Sequence, residues 1–154
     1  EGVRRTLKQE SSEADARDGM DIAFCKINTE SYEIQYAGAH RPLYLLRSGE
    51  LIEFKGDRKA IGGIPGRRRE EEPFTNHVIP CQAGDKIFFF TDGMPDQLGG
   101  PENKKYSPKR IREAIIENPG FNMNQYKDHF IADFEDWMKN AKQIDDVLLI
   151  GIEF

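Results

Sequence analysis

Short segments of alternating polar and apolar residues, separated by tight turns, follow one another from residue 22 to residue 54. Residues 22–28 and 32–36 show this period of two, which is typical of strands with one buried face. A third strand is predicted at residues 43–46, and Ser48-Gly49 forms the hairpin turn into a fourth at residues 51–54. Four short strands joined by tight turns predict an antiparallel meander.

The rest of the chain predicts a mixed fold in which the two long helices come late. Ser107 caps the first of them, Pro108 takes its first helical position, and Asn118 begins the Asn-Pro-Gly sequence that stops it. The second begins near Asn124 and carries an aromatic stripe suited to core packing. Further strands are predicted at residues 77–79, 86–90 and 147–154. The fold class is therefore α+β with mostly antiparallel sheets.

Composition and charge exclude several classes of protein. The 154 residues suit one domain. A total of 22 Lys and Arg against 27 Asp and Glu gives a net charge of −5, which argues against general nucleic-acid binding. The longest apolar run, residues 87–90, is too short to span a membrane. Cys25 and Cys81 have no paired spacing and are predicted to be reduced thiols, as in a cytoplasmic protein.

Several common catalytic patterns are absent from the sequence. His40, His77 and His129 lack partners at metal-ligand spacing, which argues against a zinc site. No serine stands in a nucleophile elbow, so a serine hydrolase has little support. The pair Gly62-Gly63 lacks the Lys-Ser/Thr ending of a phosphate-binding loop.

Carboxylates at strand ends are more informative. The buried strand at residues 87–90 ends abruptly near Asp92-Gly93, and a charge so close to a core is costly unless it is paired or binds a cation. Asp145 and Asp146 precede the final apolar strand. If the two strands are neighbours in one sheet, these carboxylates converge, and oxygen-only ligands favour Mg²⁺ or Mn²⁺. Capping or turn aspartates would give the same pattern, so spacing alone leaves both interpretations open.

Five segments, in a fixed order along essentially the whole chain, resemble a known family. They are Asp18-Gly19-Met20-Asp21-Ile22-Ala23, the run from Tyr36 to Leu45, Lys55-Gly56-Asp57-Arg58 with Ile61-Gly62-Gly63, Phe89-Phe90-Thr91-Asp92-Gly93 with Asp96-Gln97, and Gln143-Ile144-Asp145-Asp146-Val147-Leu148. In this order they resemble the bacterial branch of the metal-dependent PPM-type (type 2C) serine/threonine phosphatases. That branch includes the sporulation stage II protein E and the phosphatases that regulate stress sigma factors.

The resemblance implies part of an α/β-β/α sandwich with two Mn²⁺ or Mg²⁺ ions at one end of its two sheets. Asp92 and Asp145 match metal-binding positions of the family. Asp18 matches the aspartate of an Asp-Gly-Met segment that binds a third metal in some bacterial relatives. Asp146 and Gly93 would support the site from nearby. No side-chain nucleophile is expected, because a metal-activated water attacks the phosphorus in this family.

The resemblance is incomplete at the start of the chain. Val3 and Leu7 indicate an amphipathic helix with no capping residue before it, so the chain starts inside the helix that should follow the family's first strands. The family's early strand with a Gly-Asp motif, whose aspartate bridges both metals, and the Gly-His-Gly segment that follows it do not occur. Residues 1–154 are therefore expected to be a single, N-terminally truncated phosphatase domain, inactive or nearly so by itself, from a parent with an upstream sensory domain.

Three functional interpretations follow. The first is hydrolysis of phosphoserine or phosphothreonine on a signalling protein, and the resemblance names an anti-sigma-factor antagonist as a candidate partner. The second is a non-catalytic binding module that keeps the phosphatase surface. The third, an unrelated α+β domain, requires Asp92 and Asp145 to lie far apart. Truncation would leave an open sheet edge, which predicts self-association such as a homodimer. His40, at a strand end, either touches substrate or stabilises a turn.

Overall fold

Residues 19–62 and 72–154 are described by a computed structural model. The strands are β1 (Gly19–Met20), β2 (Ile22–Asn28), β3 (Glu33–Ala39), β4 (Leu43–Arg47), β5 (Glu50–Phe54), β6 (Ile61–Gly62), β7 (His77–Pro80), β8 (Lys86–Phe90), β9 (Leu98–Gly99), β10 (Lys104–Lys105) and β11 (Leu149–Glu153). The helices are α1 (Gly93–Asp96), α2 (Ser107–Glu117) and α3 (Met123–Met138). The helix predicted around Val3 and Leu7 lies outside the described residues. Among the described residues, one compact unit comprises 19–43, 55–62 and 72–80, and a second comprises 44–54 and 81–154.

A three-stranded antiparallel sheet in the order β2-β3-β7 forms the first unit, and β1 pairs separately with β6. Ile34 and Tyr36 on β3 are fully buried, whereas Phe24 and Val78 on the flanking strands are exposed. The predicted period of two therefore corresponds to one buried and one open face.

A four-stranded sheet in the order β11-β8-β4-β5 and all three helices belong to the second unit. Its core is aromatic: Phe88 stacks edge-on against Tyr126 of α3, and Tyr44 lies against Phe90. The aromatic stripe predicted for α3 is confirmed as core packing, because its buried side chains join this cluster. The buried members of the cluster are Tyr44, Leu46, Phe88, Phe90, Met94, Tyr106, Ile111, Ala114, Ile115, Tyr126 and Phe130.

Local signals define the ends of the long helices. At the start of α3, the Asn122 side chain accepts the Gln125 N–H and the Gln125 side chain accepts the Asn122 N–H, which is a capping box. The predicted Ser107 cap of α2 is wrong: Tyr106 occupies the N-cap position and makes no side-chain capping bond. Asn118 ends α2 as predicted. Within residues 19–62 and 72–154, no helix has the length and apolar character needed to cross a membrane.

The predicted α+β class with mostly antiparallel sheets is confirmed, but the predicted meander is wrong. β2 and β3 pair in one sheet, while β4 and β5 belong to the other. Alternation along a strand shows which face is buried and does not identify the neighbouring strand, so it does not distinguish two hairpins in one sheet from two hairpins in different sheets. The hairpin turn itself is confirmed, since Ser48 and Gly49 both have positive φ, as a two-residue turn requires.

Candidate functional site

Two neighbouring strands bring the predicted aspartates to one end of a sheet. β8 and β11 are antiparallel partners, with Phe90 opposite Leu149. Asp92 follows the end of β8, and Asp145 and Asp146 precede the start of β11. The condition that the sequence left open, that these strands be neighbours, is therefore met. The interpretation as an unrelated domain, which required the aspartates to lie far apart, loses its basis.

Thr91 extends the pairing beyond the strand ends. Its N–H donates to the Leu148 carbonyl at 3.0 Å, and its Oγ1 accepts the Leu148 N–H at 3.0 Å. The same hydroxyl donates to the Asp146 carbonyl at 2.9 Å. Three hydrogen bonds from one residue thus hold the chain just before β11 against the chain just after β8.

Gly93 allows the two aspartate-bearing segments to touch. A Cβ at this position would lie 2.3 Å from the Asp146 carbonyl oxygen, 2.8 Å from the Asp146 carbonyl carbon and 3.3 Å from the Asp145 carbonyl carbon. The first two distances are shorter than real Cβ atoms show, so this close backbone approach favours glycine. The backbone of Gly93 therefore lies directly against that of Asp146.

The three carboxylates differ in exposure. Asp92 is half-buried at the N-cap of α1 and makes no side-chain capping bond to that helix, whereas Asp145 and Asp146 are exposed. The Asp146 N–H donates to Asp145 Oδ1 at 2.7 Å, and Gln143 Nε2 donates to the Asp145 carbonyl at 2.8 Å. One oxygen of Asp145 is thus oriented by the backbone.

Gln97 is a site residue to which the sequence assigned no role. Its side chain is fully buried, and its amide bonds to the backbone on both sides of residue 143: Nε2 donates to the Lys142 carbonyl at 3.1 Å, and Oε1 accepts the Ile144 N–H at 3.3 Å. The available signal was a polar residue placed directly between a short helix and a Leu-Gly-Gly sequence. That signal does not indicate a partner 45 residues further along the chain.

A polar cluster of Tyr106, Arg110 and Asp133, next to Trp137, lies beside Gln97. The Tyr106 hydroxyl and the Arg110 guanidinium both donate to the Asp133 carboxylate, and Arg110 stacks over the Trp137 ring at 4.8 Å. Burial raises the pKa of Tyr106, and the hydrogen bond to Asp133 raises it further. Burial also raises the pKa of Asp133, but its hydrogen bonds from Arg110 and Tyr106 outweigh that effect and leave the pKa below its ordinary value.

His40 and Asp18 are the remaining residues that the sequence predicted for the site. His40 belongs to the first unit, where it is exposed and its backbone is in the left-handed region with φ of 58°. Its N–H donates to the Asp57 carbonyl at 2.9 Å, and the Asp57 N–H donates to the Gly38 carbonyl at 2.8 Å, which forms an isolated parallel β-bridge between Ala39 and Asp57. Asp18 lies outside the described residues.

The carboxylates of Asp92, Asp145 and Asp146 are the type of ligand that a hard divalent cation prefers, but they are not arranged as a complete site. Asp92, Asp145 and Asp146 offer only carboxylate oxygens, which Mg²⁺ and Mn²⁺ prefer. Within residues 19–62 and 72–154, no group of three or more His, Cys, Asp or Glu side chains is arranged to hold a metal ion. Asp92, Asp145 and Asp146 therefore do not form a metal site by themselves among the described residues.

Comparison with known proteins identifies the family. A family model for stage II sporulation protein E (SpoIIE) matches residues 2–154. The chain belongs to the SpoIIE family. A search of curated protein sequences gave no match.

Solved structures show which fold this SpoIIE-family chain has. The SiaA PP2C domain of Pseudomonas aeruginosa is similar with a TM-score of 0.81 and 22% identity over 99% of this chain and 58% of that one. The PP2C phosphatase domain of SpoIIE from Bacillus subtilis, with a fragment of its regulatory domain, is similar with a TM-score of 0.66. The identity is 12%, over 87% of this chain and 37% of that one. The catalytic domain of the serine/threonine protein phosphatase PstP, in complex with two manganese ions, is similar with a TM-score of 0.63. The identity is 17%, over 97% of this chain and 65% of that one.

These structures establish the PP2C phosphatase fold, as the resemblance implied. At 12–22% identity, they are evidence for fold alone. The SpoIIE-family chain spans between 37% and 65% of the length of these three structures.

Proposed function

We propose that this chain is part of a metal-dependent protein phosphatase and supplies Asp92 and Asp145 as metal ligands. The observation that carries the proposal is the close approach of Gly93, directly after Asp92, to the backbone of Asp146, directly after Asp145, at the ends of two neighbouring strands. Membership of the SpoIIE family and the PP2C fold support it. The presence of two manganese ions in the similar PstP structure supports Mn²⁺ or Mg²⁺ as the cofactor.

The proposed reaction is hydrolysis of phosphoserine or phosphothreonine. Two bound cations in the intact domain would supply activation of water and neutralisation of charge on the phosphoryl group. Water adds to phosphorus, the ester P–O bond breaks, and the serine or threonine hydroxyl leaves with a proton while inorganic phosphate is released. Within this chain, Asp92 and Asp145 would hold the cations, Asp18 would add a further ligand, and Asp146 would orient Asp145 through the N–H bond to its Oδ1.

The proposal extends to partners and to the chain by itself. The substrate would be a phosphorylated signalling protein in the cytoplasm, with an anti-sigma-factor antagonist as the candidate. This is supported by the likeness to the RsbU domain of a Mycobacterium tuberculosis protein. An upstream sensory domain would control the parent. Residues 1–154 alone would have little or no turnover, because the described residues include no group of three or more side chains arranged to hold a metal ion.

The test is a calorimetric titration of Mn²⁺ into the complete natural polypeptide that carries this sequence, with turnover of a phosphoserine peptide measured alongside. Asp92→Asn is expected to lower both Mn²⁺ affinity and turnover by at least about 100-fold, because a ligand is lost directly. Asp128→Asn, on the exposed face of α3, is the matched control and should leave both unchanged.

Two results would contradict the proposal. Unchanged Mn²⁺ affinity in Asp92→Asn would remove Asp92 from the metal site. If the unaltered polypeptide neither binds Mn²⁺ nor turns over the peptide, the non-catalytic binding module becomes the better interpretation.

A further inference from the structure

Gln97 is a fully buried polar side chain whose hydrogen bonds all go to the backbone. Its Nε2 donates to the Leu98 carbonyl at 3.0 Å and to the Lys142 carbonyl at 3.1 Å, and its Oε1 accepts the Ile144 N–H at 3.3 Å. Burying an amide without such partners is costly. The side chain and the segment at residues 142–144 therefore stabilise each other's position.

The segment that Gln97 contacts has little else to hold it. Every side chain from residue 142 to residue 146 is exposed, so burial of apolar surface contributes little to its placement. Its position depends on backbone contacts, which are those of Gln97, of Thr91 and of Gly93. Thr91 and Gly93 act at Asp146, whereas Gln97 acts on the residues before Asp145. Gln97 therefore holds the chain on the N-terminal side of Asp145, the proposed metal ligand.

Gln97 is itself held firmly. Its carbonyl accepts the Tyr106 N–H at 2.8 Å and the Trp137 Nε1–H at 3.4 Å, which connects it to the start of α2 and to α3. It also directly follows α1, whose N-cap is Asp92, and the Asp96 N–H donates to the Asp92 carbonyl at 2.9 Å. Gln97 therefore connects α1, the helix whose N-cap is Asp92, with the segment that carries Asp145.

We propose that Gln97 is a positioning residue that keeps Asp145 beside Asp92. The proposal rests on the function proposed above, since it concerns the same site. It predicts that removing the Gln97 amide weakens cation binding without removing any cation ligand.

The test compares Gln97→Met with Tyr126→Phe in the complete natural polypeptide. Methionine keeps the length of the side chain and loses all three hydrogen bonds. Tyr126→Phe is the matched control, because it removes buried hydrogen bonds of the Tyr126 hydroxyl to the Ile115 and Asn118 carbonyls, away from residues 142–146. Thermal unfolding is measured for both variants, so that loss of stability is known for each.

Gln97→Met is expected to raise the Mn²⁺ dissociation constant about 10-fold or more, in the range found for residues that support a metal ligand. Tyr126→Phe is expected to leave it unchanged even where its loss of stability is similar. A dissociation constant in Gln97→Met equal to that of the unaltered protein would overturn the positioning role. So would an equal rise in both variants, which would indicate a general effect of stability.

A second measurement needs no variant. Amide hydrogen exchange at Ile144 should slow when Mn²⁺ is added, because the cation fixes the segment whose N–H bonds to Gln97, while exchange at Tyr126 should stay the same. Bound Mn²⁺ with unchanged Ile144 exchange would contradict the inference and leave the proposed function standing. Failure of the unaltered protein to bind Mn²⁺ would overturn both.

Discussion

Gly93→Ala is the substitution that tests the contact between the two aspartate-bearing segments most directly. The added Cβ would lie 2.3 Å from the Asp146 carbonyl oxygen and 2.8 Å from its carbonyl carbon. Both are backbone atoms, so no flexible side chain can move aside. The segments must separate by about 1 Å to restore an ordinary van der Waals contact.

This separation has two measurable consequences. Overpacking of this kind costs about 1–3 kcal/mol of folding free energy, which for a chain of this size lowers the melting temperature by roughly 3–10 °C. A shift of about 1 Å in a catalytic site can lower turnover by about 100-fold. We therefore expect Gly93→Ala to lose Mn²⁺ affinity and phosphopeptide turnover by much more than its loss of stability explains.

The assay is thermal unfolding, Mn²⁺ calorimetry and turnover on one preparation of the complete natural polypeptide, with Gly120→Ala as the control. Gly120 has open space where its Cβ would be, so alanine there should leave all three quantities close to those of the unaltered protein. If Gly93→Ala binds Mn²⁺ and turns over substrate normally, the contact does not define the site, and the reasoning from Gly93 is wrong.

Two further predictions concern neighbouring contacts and pH. Thr91→Val keeps the shape of the side chain and removes the hydroxyl that bonds to the Asp146 carbonyl and the Leu148 N–H. It should lower the free energy of unfolding, measured by urea titration, by about 1–3 kcal/mol. Thr91→Ser keeps the hydroxyl and should retain most of that free energy. Burial raises the pKa of Asp85, but hydrogen bonds from Arg47 and from the Gln82 N–H outweigh it, so the pKa of the folded state lies below the ordinary value. The stability from this carboxylate is therefore fully present above the unfolded pKa of about 4 and is lost as pH falls through the lower folded pKa. Asp85→Asn should be about 2 kcal/mol less stable at pH 7, and the difference should shrink in acid; a constant difference between pH 7 and pH 2 would contradict this assignment.

The longer strands, the long helices and the aspartates of the candidate site were predicted from the sequence because each is a local pattern, whereas the two-residue strands β1, β6, β9 and β10 were not predicted. A period of two shows a half-buried strand, Asn118 before Pro-Gly ends a helix, and a charge directly after an apolar strand indicates Asp92. Asp145 was found for the same reason, at the start of the last apolar strand. These signals lie within a few residues of the feature that they predict.

The tertiary structure alone decided which of these elements meet. That β3 and β4 belong to different sheets depends on strand partners far apart in the chain, which periodicity does not encode. The roles of Thr91 and Gln97 depend on bonds to residues 45–57 positions away. A threonine after a strand and a glutamine after a short helix have no distinctive local pattern. Their importance comes from the backbone groups that folding brings to them.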